Sequence, residues 1–267
     1  MGGKDHDKSS GQYPAGGLCV SAHRGAGGRA VFLPAGACAL LQLGAHRVRR
    51  SVFVLRAVRA GARVFPVAGC GAGGNDISWT SHLGALLGGA VVENFGIKGS
   101  RIAIKADRTD SFVERLDGID DAADIYIVFG GVNDFSRNVP LGELGSTDVH
   151  EFYGALDYLI RTITARSPRA KLVFMTPCKT SGKHEKDIPA SDELNHLGLT
   201  QVAYVRAMLE VCDRYSVPVI DLYAQSGISP FLPEHRELYM PDGLHYSPAG
   251  YERLAHRIAV GLTAVCR

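Results

Sequence analysis

A chain of 267 residues with 46% hydrophobic content is long enough to bury a full core as one sizeable domain. No run reaches the ~18 apolar residues of a membrane-spanning helix. Six Cys at wide spacing with no C-x-x-C favour neither a disulfide framework nor a zinc site, and free thiols point to the cytoplasm.

The formal charge of +2 conceals two unlike stretches. Residues 1–75 hold ten Lys and Arg against Asp5 and Asp7, whereas residues 76–267 hold nineteen basic and twenty-five acidic side chains. The first stretch also holds fifteen of the 32 Gly and few of the periodic patterns that mark packed elements. Its basic residues are scattered and lack aromatic interleaving, which argues against a nucleic-acid arm. Ala30 to Ala45 is apolar but begins deep in the chain and contains Pro34, unlike a secretory leader. Cytoplasmic is therefore the expected location, with secretion as the alternative. Residues 1–75 have the composition of an altered reading frame or a replaced segment of a GC-rich gene, and we expect the packed domain to span 76–267. A first strand is sought at Val64 to Ala68, or alternatively at Ser51 to Leu55.

From Asp76 onward strand and helix signals alternate. Asp76 is an N-cap candidate for a helix that includes Ser78 and Trp79. Ala90-Val91-Val92-Glu93-Asn94 reads as a short strand, and Asp124-Ile125-Tyr126-Ile127-Val128-Phe129 as a buried one. Thr147 can cap a helix carrying Phe152, Leu156, Leu159, Ile160 and Ile163 at helical spacing and ended by Ser167-Pro168. Lys171 to Met175 is a third strand. A helix from Leu199 to Tyr215 presents Val202, Val205, Leu209 and Cys212, and Pro218 to Leu222 is a further strand. The Ser247-Pro248 pair opens the last helix, as an N-cap followed by Pro at the first helical position. The pattern is that of a doubly wound α/β domain, a parallel sheet between two helical layers, whose ligands gather at the carboxyl ends of its strands.

Three short blocks fall at such ends. Asp242-Gly243-Leu244-His245 sets a carboxylate three residues from an imidazole, and a His acting as a base needs a neighbour to fix its tautomer and stabilise the imidazolium. The same Asp242 could simply form a turn with Gly243. Asn94-Phe95-Gly96-Ile97-Lys98-Gly99 follows the Val91 strand, and Gly131-Val132-Asn133-Asp134 follows the Asp124 strand. Asn133 and Asp134 are also turn formers, and Asp134 is read as holding its loop rather than as doing chemistry. His184, His196 and His235 compete with His245 for the base role. Loops Pro177 to Asn195 and Tyr223 to Leu244 are long for a compact domain and are read as substrate-side walls; Trp79 is read as core.

Together and in this order, the blocks resemble those of the SGNH (GDSL-type) hydrolases, from about Trp79 to the C-terminus. The resemblance implies a three-layer, flavodoxin-like α/β/α fold and acyl transfer from an ester to water. It implies oxyanion donors at the Gly96 backbone N–H and the Asn133 amide, with His245 as general base and Asp242 orienting it. No metal or organic cofactor is implied. The expected substrate is a small-molecule ester, such as a small acyl group on a carbohydrate or short alcohol. The family's Gly-Asp-Ser nucleophile block occurs nowhere in the chain. Ser78 in Gly74-Asn75-Asp76-Ile77-Ser78 is its nearest echo, and Cys70 in Gly69-Cys70-Gly71 follows an apolar run and is a competent nucleophile type; each also has a structural reading, Ser78 as first helical turn and Cys70 as a small buried residue. The nucleophile is left unassigned. A relative that binds an ester or glycan without cleaving it is the alternative; the oligomeric state is not legible.

Overall fold

The computed structural model of the protein describes residues 77–119 and 123–266. Residues 1–75, with both candidate first strands and Cys70, lie outside the described residues, as does Asp76.

The described helices are α1 (Trp79–Leu86), α2 (Phe112–Arg115), α3 (Val132–Ser136) and α4 (Phe152–Arg166). They continue as α5 (Gln201–Arg214), α6 (Leu222–Gln225), α7 (Pro233–Tyr239) and α8 (Pro248–Val265). Three strands, β1 (Ile125–Phe129), β2 (Lys171–Met175) and β3 (Val219–Ile220), form a parallel sheet in that order. Ile125 pairs with Lys171 and Phe129 with Met175; Phe174 pairs with Val219.

Alternation along the strands sorts their side chains into two cores, because successive residues of a strand point to opposite faces. Tyr126, Val128 and Phe174 join the cluster that contains Leu156 and Ile160 of α4 and Tyr204 and Met208 of α5. Ile125, Phe129, Val173 and Met175 join Leu83 of α1 and Leu254 and Ile258 of α8. The sheet is thus covered on both faces, which is what a near-continuous apolar strand requires. This is the expected three-layer α/β/α arrangement. No helix among the described residues is long and apolar enough to cross a membrane.

Several boundaries differ from the sequence reading, each for a local reason. Ser78, not Asp76, caps α1: its hydroxyl accepts from Thr80 N–H at 3.3 Å, and Ser81 closes a capping box. Within residues 90–94, Val92 is a bridging residue, and its side chain packs on the second core. Thr147 does not cap α4, which starts at Phe152. The intervening chain is diverted by Asp148, whose Oδ1 accepts from the His150 N–H at 2.9 Å. On α5, Val205 and Cys212 are buried as expected, but Tyr204, Met208 and Val211 fill the face while Val202 and Leu209 are half-buried. The strand at 218–222 is cut to two residues because Asp221 leaves the sheet to cap α6, its carboxylate accepting from Ala224 N–H at 3.1 Å. The last helix begins as read, with Ser247 Oγ accepting from Gly250 N–H at 3.1 Å and Pro248 in its first turn.

One buried acid ties two loops together. Asp134, fully buried on α3, accepts from the backbone N–H of Ile102 at 3.0 Å and of Ala103 at 3.0 Å. Asn133 beside it donates to the Ser100 carbonyl at 2.9 Å. The loop after residue 94 is thereby fastened to the loop after β1. Burial pushes the Asp134 carboxyl up to about 6, against the pull of those N–H donors and of Arg101.

Two stability predictions follow from this packing. Replacing Asp134 by Ala orphans two buried N–H groups, and should cost about 2–4 kcal/mol at pH 7. A carboxyl whose pKa is higher folded than unfolded contributes most below its unfolded value and loses that contribution as pH rises to about 6. The gap between parent and Asp134→Ala should therefore widen from pH 7 to about pH 4.5 in urea denaturation; a gap that narrows would refute this role. At Gly154 of α4, an added Cβ would stand 2.1 Å from the Asp148 carbonyl oxygen. Gly154→Ala, ordinarily worth up to about 1 kcal/mol to a helix, should instead destabilise by about 1–3 kcal/mol; a raised melting temperature would contradict it.

Candidate active site

The two loops that matter hang from the carboxyl ends of adjacent strands. Beyond β1 the chain turns at Gly130-Gly131 into α3, which carries Asn133 and Asp134. Beyond β2 it runs through Pro177 to Thr180, and this stretch holds the segment carrying Asp242 and His245. Thr180 Oγ1 donates to the Gly243 carbonyl at 3.0 Å and the Ser181 N–H donates to the same oxygen at 2.9 Å. Gly243 sits at φ +76, where an added Cβ would stand 2.2 Å from Ser181 Oγ. Only Gly both accepts that backbone conformation and leaves room for the contact.

Asp242 serves two purposes on two oxygens. Oδ1 accepts from the N–H groups of Leu244 at 3.0 Å and His245 at 2.7 Å, making the turn. Oδ2 meets His245 Nδ1 at 2.6 Å and accepts from Lys183 Nζ at 3.1 Å. The turn and the carboxylate–imidazole contact therefore coexist in this stretch. Partial burial works to raise the Asp242 pKa, but the His245 side-chain hydrogen bond, the two N–H donors and the His245 charge hold it well below the usual carboxylate range. The carboxylate in turn pushes Lys183 up. An ionised partner at Nδ1 fixes which ring nitrogen carries a proton and leaves Nε2 as the basic one.

His245, Asn133 and Gly99 line one cavity of about 230 Å³. The Asn133 side chain makes no hydrogen bond among the described residues beyond the one to Ser100, and an amide nitrogen carries two hydrogens. One fixes the side chain; the second can be offered to a ligand. Gly96 is not part of this cavity. It lines a separate one beside β1 with Val92 and Asn94, and its N–H is committed to the Asn94 side-chain oxygen at 3.1 Å. Of the two glycines in this block, the one that lines the His245 cavity is Gly99, at φ +77, and not Gly96, where the oxyanion donor was expected. Both glycines stood in the sequence block, and what separates them is the turn between, with Ser100 N–H donating to Ile97 O at 3.2 Å.

The competing histidines are placed elsewhere. His184 is 71% exposed and lies 3.7 Å from Glu193, and His196 is 69% exposed and lies 3.3 Å from Asp187. His235 Nδ1 accepts from Ser229 N–H at 3.1 Å. Trp79 is core, edge-on to Phe129 at 6.1 Å. Ser78 is buried, engaged in capping, and outside the cavity. Cys178 does line it, but burial pushes its thiol up to about 12, so it is a neutral thiol rather than a thiolate. The Thr180 hydroxyl in the wall is spent on Gly243. Both long loops do form walls, through Cys178, Lys179, Lys186 and Ile188 of the first and Leu244 at the end of the second. Sequence reasoning missed Lys183, whose partner Asp242 is 59 residues away; no local pattern announces such a pair. Among the described residues no group of three or more His, Cys, Asp or Glu is placed to hold a metal ion.

Comparison with known proteins extends the sequence blocks upstream. The GDSL-like lipase/acylhydrolase family matches residues 60–253, beginning before the boundary expected at 76. A crystal structure of a chain 93% identical covers 77% of this chain and 94% of that one, with a TM-score of 0.74. A protein from Lactobacillus plantarum is 28% identical over 77% of this chain and 99% of that one, with a TM-score of 0.67. A possible lipase from Chitinophaga pinensis DSM 2588, 22% identical over 70% of this chain and 88% of that one, shares the fold with a TM-score of 0.57. No curated protein matches. With its parallel sheet between two helical layers and a match over residues 60–253, the chain belongs to the GDSL-like lipase/acylhydrolase family.

Proposed function

We propose that the chain is a carboxylic ester hydrolase in which His245 is the general base, Asp242 its orienting carboxylate, and Asn133 with the Gly99 N–H the oxyanion donors. The observation that carries this reading is the 2.6 Å contact between His245 Nδ1 and Asp242 Oδ2 on the wall of the cavity shared with Asn133 and Gly99. His245 Nε2 takes the proton of the nucleophile as it adds to the ester carbonyl, and returns it to the leaving alcohol as the C–O bond breaks. A water molecule then adds to the acyl-enzyme with His245 again as base, releasing the carboxylic acid and the free nucleophile. Each donor aimed at the developing oxyanion contributes on the order of 3 kcal/mol. A small-molecule substrate, a small acyl group on a carbohydrate or short alcohol, fits a cavity of about 230 Å³. The free thiols of Cys178, Cys212 and Cys266 support a cytoplasmic location.

No described Ser, Thr or Cys is placed as the nucleophile, and Cys70, within the family match, is the candidate that remains outside the described residues. The absence of Gly-Asp-Ser from the chain favours a second reading: a relative that binds an ester or glycan in the same cavity without cleaving it.

Covalent labelling of the full chain with a fluorophosphonate and an iodoacetamide probe, mapped to the labelled peptide, separates the two. A label blocked by His245→Ala, together with turnover of a short-chain chromogenic ester, is expected of the hydrolase; ligand binding without label or turnover identifies the binding relative. His245→Ala should lower turnover by about a thousandfold or more, and Asn133→Ala should lower kcat by about a hundredfold. His184→Ala should leave turnover as it is. Equal kcat for Asn133→Ala and parent would remove Asn133 from the oxyanion role.

A further inference from the structure

Among the described residues, the walls of the His245 cavity carry four cations, Lys98, Arg137, Lys179 and Lys186, and no Asp or Glu. None of the four forms an ion pair with a described carboxylate. Among the described residues the Arg137 guanidinium donates only to a backbone carbonyl, that of Lys186 at 3.3 Å, and Lys179 Nζ lies 4.8 Å from the centre of the Tyr223 ring.

The acids of the adjoining loop are engaged with other groups. Glu185 lies 3.5 Å from Lys183, Asp187 lies 3.3 Å from His196, and Glu193 accepts from the Ala190 N–H at 2.7 Å. Asp192 acts on Tyr223. Asp242 divides its charge between His245 and Lys183. Among the described residues, no carboxylate neutralises the positive charge at the cavity. Cations gathered on the walls of a cleft, where the surrounding protein screens less than water, focus the potential inside it.

We propose that this site takes an anionic ester, one that bears a carboxylate or phosphate group in addition to the ester carbonyl. The inference rests on the hydrolase reading for its chemistry, but not for the binding of the anion. Lys98, Arg137 and Lys186 hold the anionic group, and the neutral counterpart of the same substrate is the poorer one.

The test compares mono-4-nitrophenyl glutarate with 4-nitrophenyl pentanoate, which have the same carbon chain and differ in a terminal carboxylate. In the full chain at about 20 mM salt, kcat/KM should favour the glutarate by about tenfold or more, and the preference should shrink toward unity near about 1 M salt. The double variant Arg137→Gln, Lys186→Gln should reduce the preference by about fivefold or more. Inorganic phosphate should inhibit pentanoate turnover competitively in the parent and more weakly in the double variant. Phosphate competition without preference for the glutarate places the anion on the alcohol side and supports the proposal. Equal kcat/KM for the two esters with no phosphate competition overturns it and leaves the hydrolase reading standing. If neither ester is turned over, the hydrolase reading fails and titration calorimetry with phosphate decides: binding weakened by the double variant supports an anion site, and no binding overturns it.

Discussion

A single buried carboxylate sets where the site's amides stand. Asp134 is fully buried and spends both oxygens on the backbone of Ile102 and Ala103, so the loop carrying Gly99 is located by α3 and not by its own sequence. The first turn of α3 is in turn fixed by the end of β1 and by Gly131. Positional accuracy thus passes from the sheet, through one acid, to a loop that has no sheet pairing among the described residues. The cost is visible in the acid itself, pushed up to about 6 by its burial. A buried polar group earns its place only when its partners are supplied, and here the partners are the backbone groups that must be held still.

The opposite wall is built on the same economy of oxygens. Asp242 gives Oδ1 to its own turn and Oδ2 to His245 and Lys183, while the Gly243 carbonyl is gripped by Thr180 and Ser181 beyond β2. The imidazole is therefore oriented twice, by the turn it belongs to and by the carboxylate it touches. Since β1 and β2 are neighbours, loops leaving their carboxyl ends meet across one cleft, which is where open α/β sheets gather ligands.

How much of this could be read beforehand depended on how local each cause was. β1 and β2 were legible because a run such as Ile-Tyr-Ile-Val-Phe is buried on both faces and needs no partner to declare itself. Ser247-Pro248 was legible because a cap and a first-turn Pro are contiguous signals. The start of α4 was not, since it turns on the Asp148 carbonyl lying over Gly154, six residues on and beyond any capping pattern. Gly96 and Gly99 are equivalent in a motif and differ only by which way a turn directs them. The Asp242 to His245 pair was legible as a spacing, but the third member, Lys183, comes from a loop 59 residues away.

The sign of the cavity is the least expected of these outcomes. Residues 76–267 hold nineteen basic against twenty-five acidic side chains, so a wall drawn at random from them should carry slightly more acids than bases. Instead the described walls of the cavity have Lys98, Arg137, Lys179 and Lys186 and no carboxylate, while Asp107 pairs with the buried Arg101 and Asp148 and Asp187 sit in surface pairs with His150 and His196. The charge is segregated within the domain, and cations gathered on one cleft repel one another and work against compactness unless an anion gathers among them. For the ester hydrolysis proposed here, which would generate an oxyanion and release a carboxylic acid, that separation is what electrostatic complementarity to an anion requires.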